Sequence, residues 1–215
     1  MMEFLNFVFR WAHVLFGITW IGLLYYFNFI QGGYFKQASP EGLADAKAKL
    51  APSALWWFRW GAMFTFITGL VLIVGVYKLG YTNPYIIVGA LLGTLMFLNV
   101  WLIIWPNQKI ALGIVGGDAA SAGAKALLAS RTNTLFSGPM LFGMLGSQHG
   151  QSLGNVVVPV SGTGYSTGLW IALAVIVALE INAIVGKQGP MTSVKGVIHS
   201  SVALTIILFA ILNYL

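Results

Sequence analysis

Four residues near the start of the chain have types and spacing suited to cofactor chemistry. Arg10, His13, Gly17 and Trp20 follow i, i+3, i+7 and i+10 spacing, so on a helix all four share one face. An imidazole on that face can give a ring nitrogen to haem iron. A glycine one turn further removes the side chain that would block a flat macrocycle, and Trp20 can pack on its edge. Arg10, one turn the other way, can pair with propionates. The alternative is plain: His13 hydrogen-bonds a neighbouring helix and holds nothing else.

A second imidazole gives the first a partner. His149 stands in Gly146-Ser147-Gln148-His149-Gly150, at the end of a later apolar run. If that run rises as the first descends, His13 and His149 lie at matched depth within about two turns, an arrangement by which helical bundles hold b-type haem. The alternative places His149 in a solvated loop. The third histidine, His199, stands as far from the Gly186-Gly189-Pro190 turn as Glu180 does on its other side. In an antiparallel hairpin the two come side by side, as a structural pair or as a proton relay. Asn28, Gln31, Gln108, Arg131 and Asn133 form a further polar set near the opposite membrane face. A guanidinium among amides can hold a small planar anion, or it can reach lipid phosphates while the amides cap helix ends. None of these residues is marked as a catalytic acid, base or nucleophile.

The elements that position them are apolar helices. Six apolar runs of spanning length fall near residues 4–30, 57–78, 84–105, 131–149, 167–186 and 194–214. Each meets or approaches the ~20 residues that cross a hydrocarbon core of ~30 Å. An Ala-rich stretch extends the fourth back to about residue 119. Residues 40–50 read as a short polar surface helix opened by Pro40 and Glu41. Residues 150–166 read as an uncharged Gly/Ser-rich loop. The expectation is an all-α integral membrane protein, a bundle of about six transmembrane helices forming one domain over 1–215.

Composition agrees, because 58% of the 215 residues are hydrophobic and only 7% are charged. A soluble surface cannot be covered with so few charges, whereas lipid requires none. The net charge of +6 reads as topology rather than as a nucleic-acid patch. Of eleven basic residues, Lys36, Lys47, Lys49, Arg59, Lys109, Lys125, Arg131, Lys187 and Lys195 flank odd-numbered connections, leaving Arg10 and Lys78. The positive-inside rule then makes the 31–56 connection cytoplasmic and puts both termini outside. The tryptophans Trp56, Trp57, Trp60 and Trp105 fit a belt at the inner interface. No cysteine is present, which excludes disulfides, thiolate-bound clusters and covalent c-type haem.

Three blocks of sequence carry a resemblance. They are Trp11-Ala12-His13 with Trp20-Ile21-Gly22 and Tyr25 to Gln31, then Asn99-Val100-Trp101 with Ile104 to Gln108, then Arg131 to Thr134 with Ser137 and Pro139 to Phe142. Together they resemble the N-terminal membrane domain of the membrane-bound urate oxidase (urate hydroxylase) family, with His149 at the family's histidine position. The resemblance implies an integral membrane protein that carries haem b and passes electrons from substrate oxidation to a c-type cytochrome; with the charge pattern, it points to a bacterial inner membrane with both termini periplasmic. Longer relatives append a cytochrome c domain, whose Cys-x-x-Cys-His motif has no counterpart here. The implied acceptor is therefore a separate polypeptide, and the planar anion at Arg131 would be urate. Two other readings stand beside an oxidoreductase acting with a partner cytochrome. One is a non-catalytic accessory subunit that binds lipid and other subunits of a membrane complex. The other is a haem-metabolism enzyme, because the His13, Trp20 and Gly22 pattern also resembles membrane protoporphyrinogen oxidase.

Overall fold

A computed structural model describes residues 2–149 and 166–215. Long helices make up nearly all of it, and no strand occurs among the described residues. They are α1 (Glu3–Gln37), α2 (Pro40–Lys78), α3 (Pro84–Ala111), α4 (Ala119–His149), α5 (Thr167–Val185) and α6 (Val194–Tyr214). Start signals explain four of these boundaries. Ser39, Asn83, Ser166 and Ser193 each turn a side-chain oxygen back to a backbone N–H of the following first turn. Pro40 and Pro84 occupy first-turn positions, where the missing N–H costs nothing.

Residues 40–50 are not a separate surface helix. They open α2 and run without a break into the apolar part of the helix, through a π turn at Ala46–Leu50. Only Ala38 and Ser39 separate α1 from α2, so the expected 31–56 connection is mostly helix. Helix propagation adds one hydrogen bond for each residue fixed, and nothing between Pro40 and Lys78 except Pro52 interrupts it. Pro52 is itself followed by unbroken helix. The fourth run does begin at Ala119, as its alanines indicate. The expected 150–166 loop lies outside the described residues, apart from Ser166.

Among the described residues, five helices are long and apolar enough to cross a membrane: α1, α2, α3, α5 and α6. The exception is α4, and its burial explains why. Every residue from 129 to 137 is buried, including Arg131, Thr132, Asn133, Thr134 and Ser137. A helix enclosed by other helices need not be apolar. The others surround it: α1 packs along α2, α3 and α6 pack along α4, and α5 closes against α6. Their outer faces expose Phe7, Val74, Leu102, Ile181 and Ile206, as a lipid-facing shell would. Backbone approach is closest where α3 crosses α4. A Cβ added at Gly143 would stand 2.7 Å from the Tyr85 carbonyl, and one at Gly89 3.1 Å from the Met144 amide.

Two further π turns matter for the polar residues. They lie at Tyr26–Gln31 in α1 and Asn99–Ile104 in α3, and each presents a buried asparagine, Asn28 or Asn99, to the bundle. Such bulges recur at functional positions because one extra residue per turn re-aims a side chain.

Candidate functional site

A cavity of about 740 Å³ opens between the α1–α2 pair and the α3–α4 pair. Its walls are mostly apolar: Val14, Ile18 and Ile21 of α1, Phe66 and Leu70 of α2, Ile86 of α3 and Met140 of α4. Arg10, His13, Gly17, Trp20 and His149 all line this one space. A large apolar pocket with a few convergent polar groups is the usual form of a cofactor site.

Local contacts fix the His13 ring. Its Nδ1 lies 2.9 Å from the Thr65 carbonyl and 3.1 Å from the Thr68 hydroxyl. A carbonyl only accepts, so Nδ1 carries the proton and donates it there, and Nε2 keeps its lone pair. Nε2 has no hydrogen-bond partner among the described residues. The ring rests on Gly69, where an added Cβ would come within 3.1 Å of Cε1. Thr68 is held in turn, because its hydroxyl donates to the Phe64 carbonyl at 2.7 Å. Thr65, Thr68 and Gly69 were not singled out from sequence. A hydroxyl pair three apart followed by Gly on an apolar helix was the available signal.

His149 is exposed at the last residue of α4, and the end of that helix is tied down. Asn83, in the α2–α3 turn, donates to the Ser147 carbonyl at 3.1 Å. This places His149 at the bundle end that also carries Lys78. Arg10 is exposed one turn beyond His13, and its Nε donates to Asn6 at 3.3 Å. At Gly17 an added Cβ would meet only Thr65, at 4.0 Å, so the face stays open. The Trp20 indole N–H is buried without a partner. A donor left over beside a cavity, and an imidazole with one nitrogen anchored and one free, are what a haem group bound there would use. The residues present fit such a group.

The second polar set is divided rather than gathered. Asn28 donates to Ser130 at 2.8 Å and to the Leu24 carbonyl at 2.9 Å, bridging α1 to α4. Asn133 accepts from Asn99 at 3.0 Å and donates to the Met96 carbonyl at 2.9 Å, bridging α4 to α3. Arg131 stands two residues from Asn133 and therefore about 200° round the helix. Its stripe continues through Gly138, which backs onto Ser201 and Thr205, and Phe142, whose ring meets Phe209. Arg131 thus faces α6. It is 8% exposed, and its Nε and Nη1 are buried without an acceptor. Gln108 is half-buried and makes no side-chain hydrogen bond among the described residues.

The Glu180–His199 pair does not form. Glu180 is buried and accepts from Asn99 at 3.1 Å, whereas His199 is exposed. Equal distance from a hairpin turn fixes depth but leaves rotation about the helix axis free. The buried stripe of α6 runs through Val197 and Ser201, and His199 falls about 200° from each. The Arg59 guanidinium lies 3.3 Å from the Trp105 ring centre, and Trp60 meets Trp101 edge-on at 5.9 Å.

Comparison with known proteins adds one finding. Residues 80–181 match the urate oxidase N-terminal family. The urate oxidase-like stretch takes in α3, α4 and most of α5, and so carries Asn99, Gln108, Arg131, Asn133, His149 and Glu180. It leaves out α1 and with it His13. No curated protein and no solved structure matches the chain.

Proposed function

We propose that the chain is a haem-b redox protein of the urate oxidase type, embedded in a bacterial cytoplasmic membrane and passing electrons to a c-type cytochrome. The observation that carries this reading is the single cavity lined by both His13 and His149, with Arg10, Gly17 and Trp20 beside them. His13 and His149 would hold the iron, and Arg10 would meet the propionates. When bound, haem supplies a one-electron couple.

The chain's own part is orientation and exclusion of water. The Thr65 carbonyl fixes the His13 tautomer, and Gly69 fixes the ring plane. Apolar walls from α1 to α4 keep the space dry. All six helices, α4 included, would cross the bilayer with both termini periplasmic, which puts the cavity within reach of a periplasmic cytochrome. Arg131, with two guanidinium nitrogens lacking an acceptor, is the residue that would bind the substrate anion.

The test is a reduced-minus-oxidised spectrum of the purified full-length protein, with pigment extraction. A b-type spectrum is expected. His13→Ala and His149→Ala should each lose or loosen the pigment, and the exposed His199→Ala should leave it unchanged. A wild-type protein without haem absorption would end the redox reading and leave an accessory subunit in its place.

A further inference from the structure

The interior where α3, α4 and α5 meet holds a carboxyl group that the cofactor cavity does not use. Glu180 is 9% exposed, and the one hydrogen bond it receives comes from Nδ2 of Asn99. That same Nδ2 also donates to Asn133, while Asn133 Nδ2 is turned to the Met96 carbonyl and not to the carboxyl. The carboxyl receives no second hydrogen bond from the side chains of this group. No cation pairs with it either: the only ion pair among the described residues is Asp45–Lys49, and the buried Arg131, two residues from Asn133, lies on the α6-facing stripe of α4 and makes no ion pair with Glu180. Lys187 and Lys195, which bracket the α5–α6 turn, and His199 are all exposed. The stripe of α6 that is turned inward carries Val197 and Ser201. A buried carboxylate with one hydrogen bond and no counter-charge is costly enough that the group is expected to neutralise.

A second observation shows where the neutralising proton fits. Oδ1 of Asn99 is buried and has no donor, although it belongs to the amide that already touches Glu180. The pair therefore has one acceptor too many and lacks one hydrogen. We infer that Glu180 and Asn99 form a proton-binding site in the membrane interior. Glu180 holds a proton as the carboxylic acid and donates it to Oδ1 of Asn99, while Nδ2 of Asn99 donates back. Asn133 keeps the Asn99 amide in register. The site is independent of haem, so it stands or falls apart from the redox reading.

Infrared spectroscopy of the purified full-length protein in lipid at neutral pH tests this directly. The chain has five acidic residues, and the other four, Glu3, Glu41, Asp45 and Asp118, are exposed. One protonated-carboxyl band, shifted in D₂O, is therefore expected from wild type and should vanish in Glu180→Gln. Glutamine can return the same two hydrogen bonds, so that variant should melt within error of wild type. Asn99→Ala should keep the band but move it toward the frequency of a free acid. Absence of the band from wild type overturns the proposal. So does a band that emerges only when sodium and potassium are removed, because the occupant would then be a metal cation. A Glu180→Gln protein that loses its fold also overturns it, because the charge would then be required.

Discussion

At the residue scale, one ring is held by one missing side chain. His13 rests on Gly69 with its Nδ1 committed to Thr65, so the seat is set by backbone and a void rather than by any group that could be read as a ligand. Gly69→Leu should displace the ring and cut haem retention as far as His13→Ala does, while the helix content measured by circular dichroism stays the same. Gly75→Leu, at a position where an added Cβ meets nothing, serves as control and should retain full pigment. If Gly69→Leu keeps its haem, the ring is not held there. The ligand candidates were legible in sequence because intramembrane histidines are rare and helical spacing fixes their face. Their supports were not, since threonines and glycines are common in membrane helices for many reasons. Asn99 stands in one of the blocks that carry the resemblance, and its place inside an apolar run marks it as a polar group needing a partner.

At the element scale, register was readable and rotation was not. The six helices fall close to the apolar runs, and the Ala-rich extension of α4 appears as expected. The Glu180–His199 pairing failed because counting from a turn locates two residues along a hairpin but not around it. Arg131 parted from Asn133 for the same reason. The α3–α4 crossing lends itself to a direct test. Gly143→Ala puts a methyl group against the Tyr85 carbonyl and should cost about 1–3 kcal/mol, read as a lower unfolding midpoint in detergent. Asn83 does two jobs, capping α3 and tying down Ser147 at the end of α4. Asn83→Ala should lose about 1 kcal/mol for the cap and also weaken haem retention by freeing the end that bears His149. Retention equal to wild type would show that the tether does not support the site.

At the scale of the whole molecule, the distribution of charge gives an orientation to test and burial sets the layering. Nine of eleven basic residues flank the odd connections, so periplasmic reporters fused to the C-terminus should be active. Activity of cytoplasmic reporters alone would invert the bundle and move the cavity to the other face. The layering has a consequence for how the protein is made. Apolar helices can leave the translocation channel for lipid on their own, but α4 carries Arg131 and Asn133 within its most enclosed turns. An arginine left unpartnered within lipid costs up to ~3 kcal/mol on insertion scales, and nothing in lipid repays it. The hydrophobic shell therefore acts as the solvent for its own centre, and α4 should settle only when α3 and α6 are there to receive it. Its insertion is then an act of assembly, completed late, and a nascent chain halted just beyond His149 should leave α4 extractable from the membrane while α1 to α3 stay in place.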